Sequence, residues 1–192
     1  FRENPPERCF YCKFNRFSRL REMARERGFN SVVEGSNVSD RGDYRPGMRA
    51  LEELGIRSPL LECGLTKDEI RQLARDFGLP NWNHPANACL ASRFPYGTVI
   101  TAEDLARVDQ GERLLHSLGF TAGRLRHHGK TARIEIEPEQ FSRLLDPPTR
   151  QVLLSSLKGM GYVYVALDLE GYRSGSLNEV IGEDGRSPVP SP

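Results

Sequence analysis

Apolar residues recur at helical spacing in FNRFSRLREMARER, residues 14–27, where Phe14, Phe17, Leu20, Met23 and Ala24 share a face. The pattern predicts a helix ended by Gly28. SVVEG, 31–35, predicts a short strand, and the polar loop GSNVSDRGDYRPG, 35–47, follows it. A second helix is expected from about Gly47 to Leu54, stopped by Gly55. IRSPLLEC, 56–63, predicts an extended segment interrupted by Pro59. Thr66 and Glu69 form a capping box for a helix to about Phe77, where Gly78 and Pro80 stop it. Alternating helix and strand predicts an α/β layer with parallel strands. Two parallel strands alone would be poorly covered, so further strands are expected ahead of Phe1.

The rhythm changes near residues 95–100. Thr101 and Asp104 open an amphipathic helix with Leu105, Val108, Leu114, Leu115 and Leu118 on one side. GRLRHHG and TARIEIE, 123–137, predict a hairpin turning near Gly129. Pro138 starts a short helix, Pro147 and Pro148 open another, and YVYVALDLEGY, 162–172, is the strongest strand pattern. The order α-β-β-α-α-β predicts a small α+β domain. The expected organisation is therefore an incomplete parallel-sheet α/β domain over 1–95, an α+β domain over 96–180, and a disordered tail over 181–192.

Composition narrows the function classes. The 192 residues are 28% charged and 38% hydrophobic, as in globular proteins. The net charge of +1 gives no basic footprint for nucleic acid. No apolar run predicts a membrane span and no leader pattern is visible, so a cytoplasmic location is the default expectation.

Four cysteines, Cys9, Cys12, Cys63 and Cys89, are expected as thiols or ligands. Cys9 and Cys12 form C-x-x-C, within reach of one metal. Cys9, Cys12 and Cys89 together could carry three irons of a [4Fe-4S] cluster, and two small thiols under the first helix are the plainer reading. Cys63 is expected in the core. Cys89 lies in NACLASRFPYG, with Arg93 four residues on, and a nearby guanidinium favours thiolate. Ser36, Asn37, Asp40, Asp43, Tyr44 and Arg45 crowd one loop after a strand, where α/β sheets bind ligands. Alternation puts Arg124 and Arg126 on one face, a pair suited to phosphate or carboxylate. Glu112, Glu135 and Glu137 could bind a divalent ion, and solvated carboxylates are the alternative.

Four stretches occur in one family in this order: NPPERCFYCK, EGSNVSDRGDYRPG, NACLASRFPYG and LDLEGYRSGSLNE. From Asn4 to Glu179 the chain resembles the ATP-dependent sacrificial sulfur transferases, the LarE family of the PP-loop ATP pyrophosphatase superfamily. The resemblance implies a Rossmann-like PP-loop domain of the adenine nucleotide alpha hydrolase kind for residues 1–95. It implies an enzyme that adenylylates a carboxylate of a pyridinium dicarboxylate mononucleotide with ATP and Mg2+. A sulfur nucleophile then makes the thiocarboxylate that leads to the nickel-pincer nucleotide of lactate racemase. The position matching the sulfur donor is Cys89, either sacrificed itself or holding a [4Fe-4S] cluster with Cys9 and Cys12. Arg124 and Arg126 would grip a phosphate, Glu112 and Glu135 would sit near the sulfur and a metal, and the loop from Ser36 to Arg45 would lie by the nucleotide. Homo-oligomers are implied, with neither nucleic-acid nor membrane partners.

One departure matters. The superfamily's SGGxDS loop is absent; SGS at 174–176 follows the last strand and lacks the pattern. These 192 residues alone are therefore expected to turn over ATP poorly. Competing readings are a tRNA thiolase or queuosine-type synthase, a non-catalytic metal- or cluster-binding module, and a structural piece that only oligomerises.

Overall fold

The computed structural model describes residues 1–41, 45–84, 88–173 and 175–181. It has mixed helix and sheet content and divides into two compact units. One comprises Phe1 and Glu7–Ala86, the other Arg2–Pro6 and Asn87–Pro192.

In the first unit, helix α1 runs Arg8–Glu26. It begins earlier than the pattern from Phe14 predicts, because Phe10 stacks on Phe14 and extends the apolar spacing backwards. Helix α2, Pro46–Glu53, packs on α1, and the core is Leu51, Leu54 and Ile56 with Phe17 and Val32 against it. The two expected strands reduce, among the described residues, to one parallel bridge between Val33 and Arg57. The segment 56–63 is not extended throughout. Pro59 occupies the first turn of a short helix α3, Pro59–Glu62, which suits a residue with fixed φ and no N–H to lose. Helix α4, Lys67–Asp76, starts at the Thr66–Glu69 capping box.

The second unit is ordered α5 (Ala102–Ser117), β1 (Arg124–His128), β2 (Thr131–Glu135), α6 (Phe141–Leu145), α7 (Pro147–Gly159) and β3 (Tyr164–Leu167). Strands β1 and β2 form the hairpin predicted around Gly129, whose φ of 59° is easy only for glycine. Strand β3 then adds parallel to β2, with Thr131 opposite Tyr164 and Ile134 opposite Leu167. Leu125, Ile134 and Ile136 pack with Val108, Leu115, Leu153 and Leu157 into one core. Phe94 and Ala91, just after Cys89, are part of that core.

Residues 2–6 fold onto this unit. Asn4 is fully buried with φ 52°, and its side-chain amide donates to the carbonyls of Phe94 (3.3 Å) and Pro95 (2.7 Å). Its carbonyl accepts from Gly97 N at 2.9 Å. The proline-rich tail read as disordered lies outside the described residues, Ile181 excepted. Among the described residues, no helix is long and apolar enough to cross a membrane.

Candidate functional site

Cys89 is exposed and immediately precedes a 3₁₀ turn, Leu90–Arg93. The turn exists because Ala91 and Phe94, 2% and 0% exposed, anchor it in the core. Its polar groups then satisfy one another. Ser92 donates to the Cys89 carbonyl twice, from its amide at 2.9 Å and its hydroxyl at 2.7 Å. Arg93 Nη1 donates to the carbonyl of Ala88 (2.9 Å), the carbonyl of Cys89 (3.3 Å) and Ser92 Oγ (2.8 Å).

Arg93 itself is held by Glu112 on α5. Nε donates to Oε1 at 2.8 Å and Nη2 to Oε2 at 3.0 Å. Glu112 Oε1 also accepts from the backbone N–H of Leu125 at 3.1 Å, tying α5 to β1. The sequence reading takes Arg93 as a field on the thiol. In the structure its charge is matched by a buried carboxylate, and its contact with residue 89 is to the carbonyl. Arg93 therefore acts on Cys89 chiefly through the backbone.

Arg126 approaches the turn from β1. Nη1 donates to Ser92 O at 2.8 Å, and Nη2 donates to Glu135 Oε2 (2.6 Å) and Ser176 Oγ (2.9 Å). Its Nε is buried without a partner among the described residues. Glu135, fully buried, also accepts from Arg133 Nη2 at 3.0 Å. Arg124 shares the face, as alternation predicts; it donates to the carbonyls of Ala122 and Gly123 and lies 5.2 Å over the Tyr172 ring.

Of the first-unit candidates, Ser36, Asn37, Asp40 and Arg45 lie within the described residues, in a turn that also bonds to residues 65 and 67 through Val38 N–Leu65 O and Lys67 N–Ser39 Oγ. Asn37 and Asp40 cap each other, and Asp40 pairs with Arg45 at 2.7 Å. Ser36 spends its amide and hydroxyl on Glu34, 3.0 and 2.9 Å away. Burial raises the Glu34 pKa, but hydrogen bonds from Ser58 and Ser36 and the nearby Lys13 charge outweigh it and leave the carboxyl below its ordinary range. Asp43 and Tyr44 lie outside the described residues. Cys9 and Cys12 sit three apart on α1, which places them on one side of the helix; Cys9 is exposed and Cys12 half-buried. Cys63 is exposed at the end of α3 rather than in the core, because that short helix buries none of its own residues.

The chain is similar to a named synthase. It is 40% identical over 183 residues to the pyridinium-3,5-bisthiocarboxylic acid mononucleotide synthase of Lactiplantibacillus plantarum, covering 94% of this chain and 64% of that protein. It is also 44% identical over 178 residues to the uncharacterized protein slr1717 of Synechocystis sp., covering 93% of this chain and 66% of that one. A third relative is the uncharacterized protein MJ0830 of Methanocaldococcus jannaschii, 32% identical over 172 residues, 90% of this chain and 66% of that one. The chain thus spans just under two thirds of the length of these relatives. No family model matches.

A Mg2+ ion on Glu112 and Glu135 does not fit the geometry described. All four carboxylate oxygens already accept from guanidinium groups, and no cluster of three metal-ligating side chains occurs among the described residues.

Sequence reasoning missed Ser92 and Ser176. The SGS at 174–176 has no phosphate-loop pattern, yet Ser176 is buried against Arg126. Its signal was the polar run SGSLNE after an apolar strand, which needs a partner if it is to pack.

Proposed function

We propose that this chain carries the sulfur-donating part of an ATP-dependent sulfur transferase of the LarE type. It would convert a carboxylate of pyridinium-3,5-dicarboxylate mononucleotide to a thiocarboxylate, on the way to the nickel-pincer nucleotide. The observation that carries this reading is the 40% identity to a synthase of that product across 94% of the chain. The geometry supports it, since Cys89 is exposed while the backbone around it is fixed. On this reading the first unit is part of a PP-loop domain and the second its α+β companion, in a cytoplasmic homo-oligomer.

ATP serves to turn a carboxylate oxygen into a leaving group. Cys89 Sγ, as thiolate, attacks the acyl carbon of the adenylate, and AMP departs with the electron pair of the C–O bond. In the sacrificial version a base then takes the Cys89 Cα proton, the Cβ–S bond breaks, and the thiocarboxylate leaves dehydroalanine behind. Arg93 keeps the Cys89 turn in place, and Arg126 and Arg124 offer a site for the mononucleotide phosphate.

The test supplies the substrate as its preformed acyl adenylate, so that ATP chemistry is bypassed. The expected result is thiocarboxylate in solution and a chain lighter by the mass of hydrogen sulfide at residue 89. Cys89→Ala should give neither. Thiocarboxylate formed by the Cys89→Ala chain would overturn the assignment. Loss of product in Cys9→Ala and Cys12→Ala as well would move the donor from the bare thiol to a cluster.

A further inference from the structure

The stretch Gly175–Ile181 follows the last strand, and its apolar residues Leu177, Val180 and Ile181 are half-buried or exposed, none of them fully buried. Such a segment has little buried apolar area to hold it down. It is nevertheless fixed at two points. Ser176, 7% exposed, places Oγ 2.9 Å from Arg126 Nη2. Asn178 Oδ1 accepts from Tyr96 OH at 2.9 Å. Arg173 closes the segment on itself with two bonds to Glu179, 3.0 and 3.1 Å.

Both anchor points converge on the same place. Arg126, which holds Ser176, also donates to the carbonyl of Ser92, and the Ser92 hydroxyl donates to the carbonyl of Cys89. Tyr96 follows Arg93 and Phe94 in the chain, on the far side of the turn from Cys89. The segment thus grips the Cys89 turn before and after its buried centre. A further property makes Ser176 matter to Arg126. With Nε lacking a partner, Arg126 is oriented, among the described residues, by Glu135, Ser92 and Ser176. Removing one of three leaves a guanidinium that can turn away from the Ser92 carbonyl.

We propose that Gly175–Ile181 is a strap over the Cys89 turn, and that Ser176 is a positioning residue for Cys89, acting through Arg126 and the Ser92 carbonyl. Its importance for sulfur transfer rests on the reading of Cys89 as donor; the mechanical link does not. Ser176 touches no reacting atom. Its hydroxyl fixes the guanidinium that fixes the turn.

The experiment uses the 192-residue chain and three variants: Ser176→Ala, Ser176→Thr, which restores the hydroxyl, and Tyr96→Phe, which releases the second anchor. Two readouts need no substrate. Amide exchange is followed at residues 89–97 against the β1–β2 ladder. Alkylation of Cys89 by iodoacetamide is followed across pH by peptide mass spectrometry, with Cys9, Cys12 and Cys63 as references in the same chain. Ser176→Ala should raise exchange in the turn by about tenfold, the scale of one hydrogen bond to a charged group. It should also displace the Cys89 alkylation profile while leaving the ladder and the other cysteines unchanged. Ser176→Thr should return both towards wild type, and Tyr96→Phe should raise exchange at 94–97.

Wild-type exchange and alkylation in both Ser176→Ala and Tyr96→Phe would overturn the strap. A uniform rise across the whole unit, unrescued by threonine, would also overturn it and leave Ser176 as a general stabiliser. The preformed adenylate separates this proposal from the donor assignment. If the wild-type chain transfers sulfur and Ser176→Ala does so equally fast, the strap has no role in the reaction. If the wild-type chain transfers none, the donor reading falls while exchange still decides the strap.

Discussion

Arg93 and Glu112 face each other through two hydrogen bonds, 2.8 and 3.0 Å, with side chains only 2% and 9% exposed. Removing one member leaves the other as a buried, uncompensated charge. Arg93→Ala should therefore cost about 3–5 kcal/mol of stability, read from the denaturant midpoint. The double variant Arg93→Met with Glu112→Gln should recover most of that loss, because no buried charge remains and the glutamine carbonyl can still accept from Leu125 N. Only the turn should then differ, with faster exchange at Cys89 and Ser92, whose fixed geometry depends on the guanidinium.

His127 predicts how the second unit responds to acid. Its ring is 4% exposed, with Nδ1 3.0 Å from Tyr162 OH and Nε2 3.8 Å from Asp104 Oδ1. Burial lowers its pKa; Asp104 opposes this and Arg107 adds to it. Burial likewise pushes the Tyr162 hydroxyl up to about 12, so it stays protonated. The fold thus favours neutral imidazole, and the unfolded chain takes up the proton first as pH falls. The stabilisation is complete above the ordinary value of 6.5 and is lost as pH drops from there through the depressed folded value. Denaturant midpoints between pH 8 and 5 should fall on the acid side, and His127→Gln should flatten that slope.

Gly111 lies inside α5, where glycine costs up to about 1 kcal/mol against alanine. Added helix propensity should nevertheless not rescue it. A Cβ there would clash with Leu125 Cδ1 and come 3.4 Å from Leu157 Cδ2, and both leucines are fully buried. Gly111→Ala should destabilise by about 1–3 kcal/mol through overpacking, measured by chemical denaturation.

Pyrophosphate release is the check on the nucleotide side. The 192 residues contain no SGGxDS stretch, so on the proposed reading they should release none from ATP above background, with or without the mononucleotide. Sulfur transfer from a preformed adenylate should still occur. Release at an enzyme-like rate would place the adenylylating machinery within these residues.

Local signals were legible and long-range pairings were not. The hairpin around Gly129, the Thr66–Glu69 box and the helices after Pro138 and Pro147 follow from patterns a few residues long, and the structure has each of them. Pro59 reads from sequence as an interruption of an extended segment, but a proline can equally open a helix; here Ser58–Pro59 opens one. The alternation that put Ile134 and Ile136 in the core also placed Glu135 on the other face, but not its complete burial. That depends on Arg126 and Arg133 arriving with their charges. Likewise, nothing periodic links Arg93 to Glu112 or Arg126 to Ser176, 19 and 50 residues apart. Candidate residues could be nominated from their chemical type, while their partners needed three dimensions.

The interactions described around residue 89 fall on its carbonyl oxygen, from Ser92 and Arg93. Its side chain contributes nothing to them. On the proposed reading, a chain that had given up its sulfur would keep the carbonyl that Ser92 and Arg93 bind and the buried Arg93–Glu112 pair. Spent and fresh molecules would then be indistinguishable by shape, exposed apolar surface or protease resistance. Quality control that senses unfolding could not tell them apart, and used copies would persist, competing with intact ones for the substrate.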